Sequence, residues 1–201
     1  EAMHYSFLSR GELDAFDPTV RNRLVLPNPV SAEYGVMRDS LLPQLVGSLG
    51  RNAARQVESC ALFEVGRIFG IDPKTNKPTE GERVSLGMMG PFGRDMLSKR
   101  APVRDEEALL WLKGAVEALC EQLHAPRFGF FACTHSAFAP GFAVEICLGR
   151  KRVGLMGAVN AAIRHKYRLN TPLVVAELDL TQLCKGLGTL PRLKPVPQFP
   201  A

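Results

Sequence analysis

Two apolar runs, Ala61 to Phe69 and Arg83 to Met89, flank the polar segment Asp72-Pro73-Lys74-Thr75-Asn76-Lys77-Pro78, and this arrangement limits the possible folds more than any other feature. Consecutive strands joined by a polar, turn-rich loop suggest an antiparallel hairpin. A second hairpin is predicted from Ala143 to Leu148 and Val153 to Met156 around Gly149-Arg150-Lys151, and Leu173 to Leu178 reads as a last strand. Helical spacing places Leu109, Leu112, Val116, Leu119, Cys120 and Leu123 on one face between Asp105 and Leu123. Asp39 or Ser40 is expected to cap another helix, which tolerates Pro43 in its first turn and lines up Leu42, Leu45, Val46, Leu49 and Ala53. Ala161 to Tyr167 is a shorter helix. Hairpin-linked strands with inserted helices specify an α+β fold, an antiparallel β-sheet flanked by helices, and argue against a parallel doubly wound sheet.

At the start of the chain, Met3 to Leu8 reads as a strand entering mid-sheet, followed by a capping box from Ser9 to Glu12. A short strand from Leu24 to Leu26 runs into Pro27-Asn28-Pro29, where the prolines enforce an extended path. With 201 residues, 46% of them hydrophobic, one domain is expected, spanning residues 1–187. Pro191, Pro195, Pro197 and Pro200 then make 188–201 a semi-rigid linker, which marks the chain as a fragment leading to an absent further domain.

The composition excludes several classes of function. No apolar run is long enough to span a bilayer and the N-terminal residues lack a secretory pattern, so no membrane partner is expected and the protein reads as cytoplasmic. Cys60, Cys120, Cys133, Cys147 and Cys184 are odd in number and widely spaced, and His4, His124, His135 and His165 are scattered; neither disulfides nor a metal site is predicted. Phosphate-loop, nucleophile-elbow and zinc-helix motifs are missing. The net charge of +5 permits a nucleic-acid partner. Arg150, Lys151 and Arg152, with Arg164, Lys166 and Arg168, are weak RNA-contact candidates, although basic side chains are also ordinary at turns and helix ends.

In Phe63-Glu64-Val65-Gly66-Arg67-Ile68-Phe69 the charges at 64 and 67 fall on opposite faces of a strand, so one of them must face inward or meet a partner. This stretch also carries a resemblance. Tyr5-Ser6-Phe7, Asn28-Pro29, Met37-Arg38-x-Ser40-Leu41-Leu42-Pro43, Asn52 and Phe63-Glu64-x-Gly66-Arg67-x-Phe69 resemble the catalytic-like core of the phenylalanyl-tRNA synthetase beta subunit. Leu112-Lys113-Gly114, Pro140-Gly141, Val153-Gly154, Gly157 and Glu177-Leu178-Asp179-Leu180 follow in the family's order, and Pro195 to Ala201 resembles the lead-in to a C-terminal anticodon-recognition domain.

The resemblance implies a class II aminoacyl-tRNA synthetase catalytic-core-like fold without catalysis: a domain that scaffolds the alpha-subunit active site in the ATP-dependent charging of tRNA(Phe) with phenylalanine. It implies an alpha-subunit partner in an (αβ)₂ heterotetramer, tRNA(Phe) bound through the whole complex, and ATP and Mg used by the parent complex, with no cofactor in this fragment. Asn28, Pro29, Arg38, Glu64, Gly66 and Arg67 become structural or interface candidates; no catalytic residue is assigned. No arginine near Gly154-Leu155-Met156-Gly157 matches the third class II motif. Further departures stand at Trp111, where the family carries an acid, at Ala139 and Phe142 in place of a histidine and an arginine, and at Asn160 in place of a histidine. The alternative is a free-standing RNA-binding paralogue of the same core.

Overall fold

The computed structural model describes residues 1–29, 31–92, 103–125 and 127–186. Its centre is an antiparallel sheet whose six described strands run β3 (Cys60–Ile71), β4 (Pro78–Met89), β8 (Leu173–Asp179), β7 (Lys151–Val159), β6 (Phe138–Leu148) and β5 (Phe128–Cys133) across the layer. The expected α+β architecture is present, and both predicted hairpins form with strands longer than the apolar runs suggested.

Helices cover both faces. On one, α2 (Leu42–Ala54) buries Leu42, Val46 and Leu49 against Met89, Leu155, Leu173 and Val175, together with Phe16 of α1 (Arg10–Phe16) and Ile163 of α4 (Ala161–Lys166). On the other, α3 (Asp105–Gln122) and α5 (Leu180–Gly186) press Ala108, Leu112, Val116 and Leu183 onto Val84, Ile146, Met156, Val174, Ala176 and Leu178. Each fully buried Leu or Val contributes about 1.5–3 kcal/mol, so these two layers carry most of the fold. Because β8 is covered on both sides, it reads as a continuous apolar run from Leu173 to Ala176, with the carboxylates Glu177 and Asp179 at its end. Gly87 lets α2 approach: a Cβ there would sit 2.7 Å from Leu49 Cδ1.

Several expectations need correction. The strand predicted from Met3 to Leu8 shrinks to β1 (Phe7–Leu8), which pairs with β2 (Val36–Met37) in a separate two-stranded ribbon instead of entering mid-sheet. The residues before it are held differently: Ala2 N donates to Phe63 O, and His4 N to the Glu64 carboxylate. Leu24 to Leu26 makes only a single bridge, Val25 to Val36. The capping box at Ser9 and Glu12 forms as expected. For α2 the cap is different. Asp39 turns away to Arg23, Ser40 Oγ accepts from Leu42 N at 3.1 Å, and Leu41 N donates to Glu177 Oε1 of β8 at 2.6 Å. A carboxylate 136 residues away in sequence thus completes the first turn. The segment 188–201, expected to be a proline-rich linker, lies outside the described residues.

Candidate functional site

The buried side of β3 organises the first cluster. Glu64 points under α2, where Arg38 Nη1 donates to its Oε1 at 2.8 Å and His4 Nδ1 lies 2.7 Å from its Oε2. Arg38 is further fixed by Nε donating to Arg67 O at 2.9 Å and Nη1 to Gln44 Oε1 at 3.1 Å, and His4 Nε2 reaches Ser48 Oγ at 2.5 Å. Burial would push the Glu64 carboxyl up, but the contacts from His4 and Arg38 outweigh it and hold the group below its ordinary value. Gly66 is two residues along on the same face, and a Cβ there would collide with Arg38 Nη2. Strand alternation sends Arg67 to the opposite face, where it is exposed and meets Glu80 at 3.5 Å, an exposed pair of small energetic consequence. Asn28 and Pro29 lie exposed in the loop before Val36 and join no cluster.

A second cluster was not legible in the sequence. Arg23 is buried beside α1, with Nε donating to Asp39 Oδ2 and Nη2 to Asp17 O, both at 2.6 Å, and Nη1 to Asp14 Oδ1. Burial pushes the Asp39 carboxyl up although Arg23 opposes the shift.

Between these clusters, on the α2 side of the sheet, opens a cavity of about 360 Å³. Its floor carries Arg83 of β4, Glu177 and Asp179 of β8 and Arg152 to Leu155 of β7; its walls include Asp17, Asp39, Ser40, Leu42 and His135. The cationic groups in it are already engaged. Arg83 Nη1 is 2.7 Å from Asp179 Oδ2, and Arg152 Nη1 is 3.2 Å from Glu145 Oε1. Glu177 accepts from both Ser40 Oγ and Leu41 N, and burial pushes its carboxyl up, with Asp39 adding to the shift. Burial likewise lowers His135. The alternation of Glu177 and Asp179 with apolar neighbours at the end of β8 was the available sign of this floor.

Gly154 and Gly157 have a packing reason. A Cβ on Gly154 would come 2.7 Å from Glu177 O, and one on Gly157 would strike Phe142 O and the Phe138 ring. The departures noted in the sequence also find structural partners. Asn160 caps α4 through Oδ1, accepting from Ile163 N at 2.9 Å, while Nδ2 donates to Ser136 O at 2.6 Å. Trp111 packs edge-to-face on Phe92, and Phe142 lies in an apolar groove with Leu109 and Val144. Ala139 lines a neighbouring recess with Cys133 and Pro140.

Four of the six basic candidates have separate partners in the structure. Lys151 Nζ donates to Gln182 at 2.6 Å, Arg152 pairs with Glu145, Arg164 Nη1 pairs with Asp105 at 3.3 Å, and Lys166 lies over the Tyr167 ring. Arg150 sits at the exposed β6–β7 turn, and Arg168 follows α4 in a left-handed conformation. Among the described residues no group of three His, Cys, Asp or Glu side chains could hold a metal ion, and no helix is long and apolar enough to cross a membrane.

Comparison with known proteins agrees with this geometry. The chain is 33% identical over 208 residues to the phenylalanine–tRNA ligase beta subunit of Pseudomonas fluorescens, covering all of this chain and 24% of that one. It is 29% identical over 202 residues to the beta subunit of Geobacillus kaustophilus, again across its whole length and 25% of the relative. It therefore spans about a quarter of the length of the curated relatives it matches. Among solved structures, a pyrrolysyl tRNA synthetase from Desulfitobacterium hafniense superposes with a TM-score of 0.68 at 16% identity, covering 91% of this chain and 58% of the other, which gives the class II synthetase core fold. The model for the phenylalanyl tRNA synthetase beta chain CLM domain matches residues 1–180, and the chain belongs to that family.

Proposed function

We propose that the chain is a non-catalytic assembly domain of a phenylalanine–tRNA ligase beta subunit, whose role is to hold the alpha subunit's active site in shape within an (αβ)₂ complex in the cytoplasm. The observation that supports this is the occupation of the sheet-face cavity by charges that cancel internally. Attack on the α-phosphate of ATP requires cationic groups free to meet charge developing on the phosphates. Here Arg83 and Arg152 are each matched by a carboxylate, and Asp17, Asp39, Glu177 and Asp179 line the same space. With both guanidinium groups of the lining already matched by carboxylates, none is free to meet a triphosphate, and this reading leaves ATP to the alpha subunit.

The buried Arg38–Glu64 pair serves this role as a support. It locks the loop before α2 to β3, so the surface that α2 presents is held in one shape. The arrangement favours scaffold over RNA binding because the basic clusters are spent on separate neighbours. The test is phenylalanine-dependent ATP–pyrophosphate exchange. The chain alone should give none, while deletion of residues 1–186 from the full beta chain should abolish co-purification with alpha. Exchange by the chain alone, or normal pairing after the deletion, would overturn the reading.

A further inference from the structure

The ends of α2 and α4 meet although more than a hundred residues of chain separate them. The Tyr167 ring at the end of α4 lies along α2: a Cβ on Gly47 would sit 3.4 Å from Tyr167 Cε1, and one on Gly50 would sit 3.2 Å from Tyr167 O. The two glycines let the end of α4 settle on the last turns of α2, and cations from both helices gather there. Gly47, Arg51 and Arg55 follow one line of α2 and its cap, since positions four apart share a face, while Lys166 and Arg168 flank Tyr167. All four cations are exposed, and none has a carboxylate partner among the described residues. Arg51 Nη2 donates to Ser48 Oγ at 2.6 Å and Lys166 Nζ lies 5.7 Å from the centre of the Tyr167 ring, contacts that leave both charges unmatched. Arg168 has a φ of 56°, where glycine or asparagine is the ordinary occupant, so the turn itself does not call for an arginine.

Arg51 also borders a cavity of about 590 Å³, together with Tyr5, Phe7, Tyr34 and Tyr167. Tyr5 stacks on Phe7 with ring centroids 5.7 Å apart and planes 8° from parallel, and Phe7 meets Tyr34 edge-on at 5.8 Å. One face of Tyr5 is covered by Phe7, and the residue is 72% exposed, so the other face is an open platform. The acidic residue of the cavity, Glu12, is turned to Ser9 in the capping box.

An open aromatic platform beside unmatched cations is the combination that holds unpaired nucleotides, the base stacking on the ring and the phosphates meeting the cations. We propose that this site takes an unpaired stretch of RNA, with a base on Tyr5 in the cavity and the phosphate backbone along Arg51, Arg55, Lys166 and Arg168. A carboxylate-rich protein segment would satisfy the cations but leave the rings without a stacking partner. Lys151, Arg152 and Arg164, already matched by neighbours, take no part. The contact goes beyond the scaffold reading and does not depend on it, because pairing with alpha tests one and RNA binding the other.

The test is fluorescence anisotropy of the chain with a labelled single-stranded RNA of about twelve nucleotides, within the span such sites cover. Saturable binding that weakens with salt is expected, and a duplex of the same sequence should bind at least tenfold more weakly because its bases cannot reach the ring. The double variant Arg55→Glu with Arg168→Glu should weaken binding at least tenfold and flatten its salt dependence. Tyr5→Ala should weaken it by roughly tenfold with the salt dependence unchanged. Arg150→Glu, at an exposed cation outside the site, should bind like the original chain, and unchanged thermal melting of each variant shows that folding is intact. No binding at low salt, equal binding of the duplex, indifference to Tyr5→Ala, an equal loss in Arg150→Glu, or polyglutamate competing as well as RNA would each overturn the proposal.

Discussion

Arg38 and Glu64 meet at 2.8 Å with 3% and 1% of their surfaces exposed, and Gly66 is small because the Arg38 guanidinium lies across it. The spacing Glu-x-Gly on β3 is therefore one structural unit, with the carboxylate binding the cation and the glycine making room for it.

Arg38→Met leaves the Glu64 carboxylate buried beside His4 alone and is expected to cost about 3–5 kcal/mol, read as a shift in urea midpoint at constant slope. The double variant Arg38→Met with Glu64→Leu removes both charges and should recover a large part of that loss. Equal destabilisation in the single and double variants would show that the pair does not act as a coupled unit.

Gly66→Ala is expected to cost about 1–3 kcal/mol, because the new methyl displaces the Arg38 head group. In an Arg38→Ala background the same substitution should cost much less, since the obstacle is gone. A double-mutant cycle giving no coupling would contradict the close contact.

Glu64 and Glu177 should have opposite effects on acid stability. The folded-state pKa of Glu64 is depressed, so its contribution is present above the ordinary value near 4.5 and is lost as pH falls through the lower folded value. Glu64→Gln should therefore be less stable than wild type at neutral pH, with the gap narrowing in acid. The folded-state pKa of Glu177 is raised, so its ionised form is disfavoured in the fold, and stability falls as pH rises from 4.5 to the higher folded value. Glu177→Gln keeps an oxygen for Ser40 Oγ and Leu41 N and should remove that fall. Stability curves measured between pH 3 and pH 8, on the order of the range these shifts cover, check both signs.

Tyr167 has a buried phenol oxygen with no hydrogen-bond partner among the described residues, and burial, with help from Glu12, pushes its pKa up to about 12. Because an unsatisfied buried hydroxyl is costly, Tyr167→Phe is expected to stabilise the protein by about 1 kcal/mol, seen as a rise in Tm. A fall in Tm would mean that the hydroxyl has a favourable contact.

The sequence made the hairpins, the principal helices and the β3 charges legible because each leaves a local periodic trace. Glu64 and Arg67 could be assigned to opposite faces from strand alternation alone. The Arg23–Asp39 cluster had no such trace, since its members come from a loop, from within α1 and from the flanks of α1 and α2. Strand β5 was missed because Phe-Gly-Phe-Phe-Ala-Cys is half glycine-broken and does not alternate. The residues from Met3 to Tyr5 alternate like a strand but bond side chains on α2 and β3, which no local pattern records. Glu177 lay in view as a carboxylate flanked by apolar residues in β8, but its role at the start of α2 depends on a contact across 136 residues.

The last strand among the described residues, β8, lies between β4 and β7, and the same strand brings the carboxylate that completes α2. Until residues 173–179 have been synthesised, the β3–β4 hairpin and the β5–β6–β7 meander are separate leaflets with no strand joining them. Assembly of this sheet on the ribosome must therefore wait for residues 173–179, and the nascent chain exposes two unpaired inner edges until then, a window in which chaperone protection matters most.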